Sequence, residues 1–502
     1  EATKEKVREK AKELGYVKNS LAVSLKMGKT KNVAVFMNGF FNPYFAVLCD
    51  KIIRELEKQG YTGMVSVVTG FELKMEAIET VFSNNCSAVI SLTEPNDDVV
   101  KALVDNDIPL FLIGIKPKNK AVNYIITDDY DGGKQVGHYF LNHGYRNCIY
   151  ITDSPSETST RRLYGFLDEI KKDINNFMRK IQEETKPEKC ILCGKEQTSF
   201  CNSHSVPKMV LKNIAKAGKL YHANKLIEIP VVDKEKGISN SGTFHFICRD
   251  CDSKLFQEYE NVDALQEIPT EKMLAEIALK DILLMLSKRN QEKRIYQKGK
   301  QKGILQNVEV MEEIQQLDNK DYMDELNLYK DVLYKNSCNN FKIIMWEKIP
   351  YVVPIATQTL VALPKDIEGI EINNIYDMRP EVRMQNIHIG VFPMNDYSIV
   401  YAFYHRRDRL YRRLHHQMNC MSLEKKLELI NYWIFKYTEN YYISPEIQIV
   451  IDKDDKLKEL SRENNGMPNL GYVTTMDFLF HKDEIKPSEV TNLLREMYAV
   501  KK

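Results

Sequence analysis

The stretch NVAVFMNGFFNPYFAVLCDKIIRELEKQGYTGMVSVV, residues 32–68, decides the fold of the first part of the chain. Its apolar residues 33–36 predict a β-strand, and Pro43 to Lys58 predict an amphipathic helix. Met64 to Val68 predict a second strand. A strand, a helix and another strand of these lengths are typical of a parallel β-sheet.

The same alternation continues to about residue 172. Further strands are predicted at residues 88–91, 110–115, 124–126 and 148–152, and further helices at residues 72–83, 97–104 and 130–142. Alternation of this kind predicts a parallel sheet with helices on both faces. The rhythm stops near Asp173, so we place a domain boundary there.

Length and charge limit the possible functions. A chain of 502 residues is too long for one hydrophobic core, so we expect two or more domains. Lys plus Arg number 71 and Asp plus Glu number 70, so any basic surface must be local. We find neither an apolar run long enough to cross a bilayer nor a signal segment, and we expect a cytoplasmic protein without a membrane partner.

Several separated motifs resemble the lactose-repressor (LacI/GalR) family of bacterial transcription regulators. They are the helix of residues 3–16 closed by Gly15, residues 19–25, residues 28–30, Asn42-Pro43-Tyr44-Phe45, residues 128–133, Gly144-Tyr145-Arg146, and Arg162 with Gly165-Phe166. The resemblance implies part of a DNA-binding headpiece and a hinge helix in residues 1–30. It also implies an incomplete N-terminal effector lobe, like half of a periplasmic binding protein, in residues 31–172.

In that family the hinge helix enters the minor groove as part of a dimer and wedges an apolar side chain between base steps. Leu25 matches the wedge position, and Ala22 and Lys26 match its neighbours. Val23 stands where the family usually carries arginine, which removes one cationic contact. DNA and a second copy of this chain are therefore the expected partners. The alternative is a helix that only caps the lobe.

Two departures from the family pattern limit what the resemblance implies. The helix-turn-helix that reads the major groove would precede Glu1, so specific operator binding by these residues alone is not expected. The family's second lobe does not follow Lys172, although ligands of such folds lie between lobes. The residues that match the first half of an effector site are Phe41, Asn42, Tyr44 and Asp129. We favour a lobe that binds no small-molecule effector.

Two C-x-x-C pairs predict a metal site in the second part of the chain. Each pair can give two thiolates to one tetrahedral Zn²⁺ ion, and the long separation between the pairs is tolerable because loops lengthen at small cost. A redox role would need a thioredoxin-like unit around one pair, which the sequence does not suggest. The predicted ligands of a structural zinc ion are Cys190, Cys193, Cys248 and Cys251.

Between these pairs lies Asn202-Ser203-His204-Ser205-Val206-Pro207-Lys208, and the second pair opens a helix. This order resembles the zinc-containing HNH endonucleases, which have a treble-clef (ββα-metal) fold. The resemblance implies that His204 is a general base and that Mg²⁺ or Mn²⁺ stabilises the phosphate transition state. Ser203 replaces the usual metal-binding neighbour, and Asp252 replaces an asparagine. An inactive treble-clef binding module is the alternative, and both interpretations stay open.

A basic run at residues 405–416 interleaves cationic and aromatic side chains, as nucleic-acid surfaces do. Its candidate DNA-binding residues are Arg406, Arg407, Arg409, Arg412 and Arg413. These arginines would neutralise several phosphates if they lay on one face. The alternative is a solvated helix face. The role of the surrounding residues 289–502 is not apparent from the sequence.

The sequence therefore predicts a multidomain protein in three parts. A parallel α/β half lobe is followed by an α+β zinc module of HNH type at residues 173–288 and by a mixed α/β region at residues 289–502. The favoured function is a LacI-type regulator fragment joined to a zinc module that acts on DNA, as an endonuclease of HNH type or without catalysis. A third interpretation is an accidental fusion whose halves have no joint function.

Overall fold

The computed structural model describes residues 2–16, 30–70, 72–117, 119–120, 122–145, 148–152, 156–301, 308–335, 337–374, 377–464 and 485–501. The chain forms two compact units. The first comprises Glu1–Gly132 with Pro155–Arg162, and the second comprises Gly133–Ser154 with Leu163–Lys502. Within the described ranges, no helix combines the length and the apolar character needed to cross a membrane.

The first unit alternates strands and helices. Its strands are β1 (Asn32–Met37), β2 (Thr62–Val67), β3 (Glu72–Leu73), β4 (Ala88–Ser91), β5 (Glu94–Pro95), β6 (Leu110–Ile113) and β7 (Asn123–Ile125). Its helices are α1 (Ala2–Glu13), α2 (Pro43–Lys58), α3 (Met75–Ser83) and α4 (Asp97–Asp105). Two helices have residues in both units: α5 (Asp129–Asn142) and α6 (Glu157–Glu184).

The main sheet of the first unit has the strand order β2-β1-β4-β6-β7, and every pairing in it is parallel. Ala34 and Phe36 of β1 pack into one hydrophobic cluster, whereas Val35 and Met37 pack with Cys49 into another. Both faces of this strand are therefore buried, as parallel sheets require. The parallel α/β sheet predicted from the sequence is confirmed.

The prediction of a strand at Cys148–Thr152 is wrong. These residues have no regular secondary structure, and Ile149 and Ile151 are 88% and 86% exposed. An apolar alternation becomes a strand only where a neighbouring strand supplies hydrogen bonds, and among the described residues none pairs with this segment. The boundary expected at residue 172 falls inside helix α6.

The second unit contains the remaining elements. Its strands are β8 (Ser203–His204), β9 (Lys219–His222), β10 (Glu235–Gly237), β11 (Thr243–Phe244), β12 (Phe341–Ile349), β13 (Ile355–Val361), β14 (Ile387–Pro393), β15 (Ser398–His405) and β16 (Tyr441–Ile443). Its helices are α7 (Lys208–Lys212), α8 (Asn224–Ile227), α9 (Arg249–Leu255), α10 (Glu271–Gln301), α11 (Val308–Lys335), α12 (Tyr411–Asn419), α13 (Leu423–Tyr437), α14 (Gln448–Lys453) and α15 (Asp455–Asn464).

An antiparallel sheet with the order β10-β9-β16-β13-β14-β15-β12 forms the centre of the second unit. All residues of β13, β14 and β15 are buried. Along β15 the odd residues from 399 to 403 join a hydrophobic cluster with α10, and the even residues from 400 to 404 join another cluster with α13. Helices therefore cover both faces of this sheet.

The pairing of β9 with β16 joins two parts of the chain that the sequence separates. Tyr442 lies opposite His222 in this antiparallel pair. The region predicted as a zinc module, residues 173–288, therefore shares one sheet with the region predicted as a separate C-terminal part. A four-residue strand carries too weak an alternation to reveal a partner more than 200 residues away.

Candidate functional site

Two turns bring the four predicted zinc ligands together. In the first turn Gly194 donates its backbone N–H to the carbonyl oxygen of Cys190 at 2.8 Å, and Cys190 donates its N–H to Lys195 at 2.9 Å. Gly194 has a φ of 71°, a conformation that favours glycine. Cys248 caps the start of α9 and donates its backbone N–H to the Cys190 sulfur at 3.3 Å.

The four sulfur atoms have the spacing of a tetrahedral zinc site. All lie within 4.8 Å of one another, with 3.8 Å between Cys190 and Cys251 and 3.9 Å between Cys193 and Cys248. Zn–S bonds of about 2.3 Å in a tetrahedron place sulfur atoms about 3.8 Å apart. Burial raises the pKa of the Cys248 and Cys251 thiols, whereas backbone N–H donors of Cys193 and Cys248 overcome burial at Cys190 and lower its pKa to about 7. The fit to Zn²⁺ therefore comes from the spacing of the four sulfur atoms.

This cluster would be a closed, structural site. Four protein thiolates complete a tetrahedron and leave no position for water or substrate. A zinc ion here would tie the first turn to α9. Phe244, which packs in the same core as the cysteines, belongs to a two-stranded antiparallel sheet in which β8 pairs with β11. Cys190, Cys248 and Cys251 belong to the same hydrophobic core cluster as Leu192, Phe244 and Ile247, whereas Cys193 is exposed. Among the described residues this is the single group of three or more His, Cys, Asp or Glu side chains that could hold a metal.

His204 lies on β8 and is not one of the four clustered side chains. Its ring Nε2 is 3.2 Å from the carbonyl oxygen of Ile238, so this nitrogen carries the donated proton. Burial lowers the pKa of His204, which keeps the imidazole neutral at pH 7. A neutral, half-buried imidazole is compatible with base chemistry, and the role of His204 as a general base stays a prediction.

Asp252, the residue after the second cysteine pair, is held by two partners. Ser203 donates its hydroxyl to Asp252 Oδ1 at 2.6 Å, and the ammonium of Lys280 lies 2.8 Å from the same atom. Burial opposes ionisation of Asp252, yet Lys280 and Ser203 keep its pKa below the usual value. The pairing of Lys280 with Asp252 was not predicted from the sequence. Two charged residues in a row, Lys280 and Asp281, inside an otherwise apolar helical stretch could have indicated buried, paired charges.

A chain of buried polar side chains was also missed. Asp281 Oδ2 lies 2.7 Å from His388 Nδ1, and His388 Nε2 lies 3.1 Å from the Tyr329 hydroxyl. Tyr329 donates in turn to Glu325 at 3.4 Å, and Glu325 also accepts from Asn386 at 3.0 Å. These groups are almost completely buried, so each stabilises the fold only while its partners remain in place.

The structure divides the five arginines of the basic run into two groups. Arg407 lies 3.0 Å from Glu325, and Arg413 lies 2.8 Å from Asp366, so these two are used in ion pairs within the unit. The remaining three, all exposed, are Arg406, Arg409 and Arg412. None of these three forms an ion pair within the part of the chain that the structure describes.

Two lysines outside the basic run lie beside α12. Burial lowers the pKa of His415, and the nearby charges of Lys342 and Lys426 lower it further. Lys342 is opposite Tyr404 in the sheet, and Arg412 lies near the same tyrosine. We give the name basic face to the cations of this run that have no ion-pair partner among the described residues, together with the two lysines beside α12: Arg406, Arg409, Arg412, Lys342 and Lys426.

The predicted effector residues of the first unit have structural partners. Asn42 caps α2 by accepting the backbone N–H of Tyr44 at 3.0 Å, and Phe41 is fully exposed. Asp129 is buried and accepts from Arg162 at 2.9 Å and from the Thr127 hydroxyl at 3.0 Å. The predicted minor-groove residues, which lie outside the described residues, are Ala22, Leu25 and Lys26.

Residues 31–179 match the model of one protein family, which is described as "Periplasmic binding proteins and sugar binding domain of LacI family". The HTH-type transcriptional repressor PurR of Aliivibrio fischeri (strain MJ11) is 24% identical over 170 residues, which are 33% of this chain and 50% of that protein. PurR of Vibrio parahaemolyticus is 24% identical over 182 residues, 35% of this chain and 54% of that protein. The chain thus spans about half the length of these curated relatives.

Among solved structures, a LacI-family regulator from Enterococcus faecium with bound ribose is 20% identical. The alignment covers 29% of this chain and 53% of that one, with a TM-score of 0.25. Residues 31–179 of this chain resemble the LacI family of transcription regulators and the periplasmic binding proteins.

Proposed function

We propose that this chain is a DNA-associated regulator in which a LacI-type lobe is joined to a zinc-organised unit that binds the phosphate backbone without cleaving it. The basic face carries this proposal. Its arginines 406, 409 and 412 are exposed and have no ion-pair partner among the described residues, whereas Arg407 and Arg413 of the same run are paired. Exposed cations without an internal partner are available to phosphate groups.

The whole chain has a formal net charge of only +1, so attraction to DNA must come from a local patch. Each phosphate contact made by Lys or Arg releases counterions and contributes about 0.9 to the slope of log K against log salt. Three arginines would therefore account for a slope of about 2.7. The zinc ion proposed at the cysteine cluster has a structural role in this function, since four thiolates leave it no open position.

The test compares two triple variants that remove the same charge. The first changes Arg406, Arg409 and Arg412 to Ala. The control changes Arg54, Lys58 and Arg379 to Ala, because these exposed cations already lie in ion pairs. Binding to a labelled DNA duplex is measured by fluorescence anisotropy at several salt concentrations. We expect the salt slope to fall by about 2.7 in the first variant only. Equal slopes in both variants would exclude the basic face as the DNA surface.

The resemblance to HNH endonucleases suggests an alternative with His204 as general base and Mg²⁺ or Mn²⁺ as cofactor. The residues present do not fit that ion. Asp252, the nearest carboxylate after the second cysteine pair, is bonded to Ser203 and to the Lys280 ammonium. We therefore expect no cleavage of plasmid DNA with either ion. Cleavage by the wild type that disappears in His204→Ala would instead support a nuclease.

The proposal includes a homodimer formed through the first unit, by analogy with LacI-type repressors, and no small-molecule effector. Sedimentation velocity of the full chain measures the first point, and a species of twice the chain mass is expected. A monomer at every concentration would remove the dimer from the proposal. It would leave the basic face untouched, since that surface belongs to the second unit.

A further inference from the structure

Lys280 is a buried cation that pairs with Asp252, the residue after the second cysteine pair. It lies on α10, and only 1% of its side chain is exposed. Its ammonium is 2.8 Å from Asp252 Oδ1 and 3.5 Å from Glu260 Oε1, and it lies 3.8 Å from the centre of the Phe256 ring. A buried ammonium is costly unless it is paired, and here two carboxylates and an aromatic face provide that pairing.

The groups around this ammonium are also ligands for a different cation. Carboxylate and hydroxyl oxygens are the donors that Mg²⁺ and Mn²⁺ prefer. Asp252 and Glu260 supply two carboxylates, and Ser203 adds a hydroxyl bonded to Asp252. The hydroxyl of Tyr259, between these residues in the chain, is buried and has no hydrogen-bond partner. Without the ammonium, the carboxylates of Asp252 and Glu260, whose side chains are 29% and 44% exposed, would lack their shared counter-charge.

We infer that Lys280 is a built-in cation that fills a divalent-metal position beside the zinc module and closes it to Mg²⁺ and Mn²⁺. A divalent ion cannot enter while the ammonium is present, because a second cation a few ångströms from the buried Lys280 ammonium would be strongly repelled. The inference goes beyond the proposed DNA association, since it concerns which ions the second unit can hold.

The test uses full-length, zinc-loaded protein and Mn²⁺ as the probe. Bound Mn²⁺ is counted from the loss of the free-ion signal in electron paramagnetic resonance. We expect the wild type and the Asp252→Asn variant to bind the same number of Mn²⁺ ions. Lys280→Met keeps the side-chain length without the charge, and we expect it to bind about one additional Mn²⁺. The double variant Lys280→Met with Asp252→Asn should lose that ion again.

Zinc content and circular dichroism report whether each variant is folded. A folded Lys280→Met protein without an additional Mn²⁺ site would overturn the inference, and so would a wild-type Mn²⁺ site that depends on Asp252. If the variant unfolds, Lys280→Gln is the second variant, and Mn²⁺ is added during refolding. Recovery of the fold by Mn²⁺ supports the inference, and failure to recover with both variants contradicts it. DNA binding through the basic face is measured separately, so the two proposals fail independently.

Discussion

Replacing Cys251 by Ser should remove the zinc ion and destabilise the second unit. Cys251 lies on α9, and its sulfur is 3.8 Å from that of Cys190, which precedes it by 61 residues. A metal that joins these positions closes a loop of that length and restricts the unfolded chain. The loop-closure relation gives about 4 kcal/mol for a cross-link of this size.

Two measurements check this expectation. Elemental analysis should find about one zinc per chain in the wild type and close to none in Cys251→Ser. With a urea dependence of about 3 kcal/mol per molar, a loss of about 4 kcal/mol lowers the unfolding midpoint by roughly 1.3 M. Cys201→Ser is the matched control, because Cys201 lies in the same region but outside the sulfur cluster.

A Cys251→Ser protein that keeps its zinc and its urea midpoint would contradict a stabilising zinc ion at this cluster. Wild-type protein that contains no zinc after purification without chelators would contradict it as well. Loss of zinc in the Cys201→Ser control would show that the site has a different ligand set. Zinc loss without a change in midpoint would show that the ion does not hold the unit together.

Two further expectations concern the second unit. An alanine at Gly390 would place its Cβ 2.2 Å from the Tyr401 ring, so Gly390→Ala should lower the free energy of unfolding in urea by about 1–3 kcal/mol. The control is Gly237→Ala, whose Cβ would meet nothing within 4 Å and which should leave the unfolding midpoint unchanged. Equal midpoints for the two variants would contradict this packing. Burial lowers the pKa of His222 to about 4, below its unfolded value of about 6.5, so protonation favours the unfolded state and stability should fall as pH drops through this window. From pH 7 to pH 5 the loss is about 2 kcal/mol, and His222→Gln should reduce it; an unchanged pH dependence in that variant would exclude His222 as its source.

The sequence reveals those features whose determinants are close together in the chain. The alternation of Val33–Phe36 with the following helix predicts the parallel sheet because each βαβ unit is local. The two C-x-x-C pairs predict four converging sulfur atoms because the residue type and spacing suit one tetrahedral ion. The presence of zinc and the role of each ligand stay predictions.

Features that depend on distant partners could not be predicted in this way. The basic run reads as one surface, but Arg407 is paired with Glu325 on α11 and Arg413 with Asp366 before β14. The burial of Asp281 depends on His388, which is 107 residues away. Such pairings depend on how the helices pack on the sheet, so they cannot be predicted from the local sequence pattern.

The pairing of β9 with β16 also has a consequence for the order in which the protein is made. All four predicted zinc ligands leave the ribosome before the strands β12 to β16 are synthesised, so a metal ion could bind them early. The edge of β9 that pairs with β16 has no partner strand until residues 441–443 have been synthesised. During that interval an unpaired strand edge is available to chaperones or to other nascent chains, and closure of this long-range pair is expected to limit the rate of maturation.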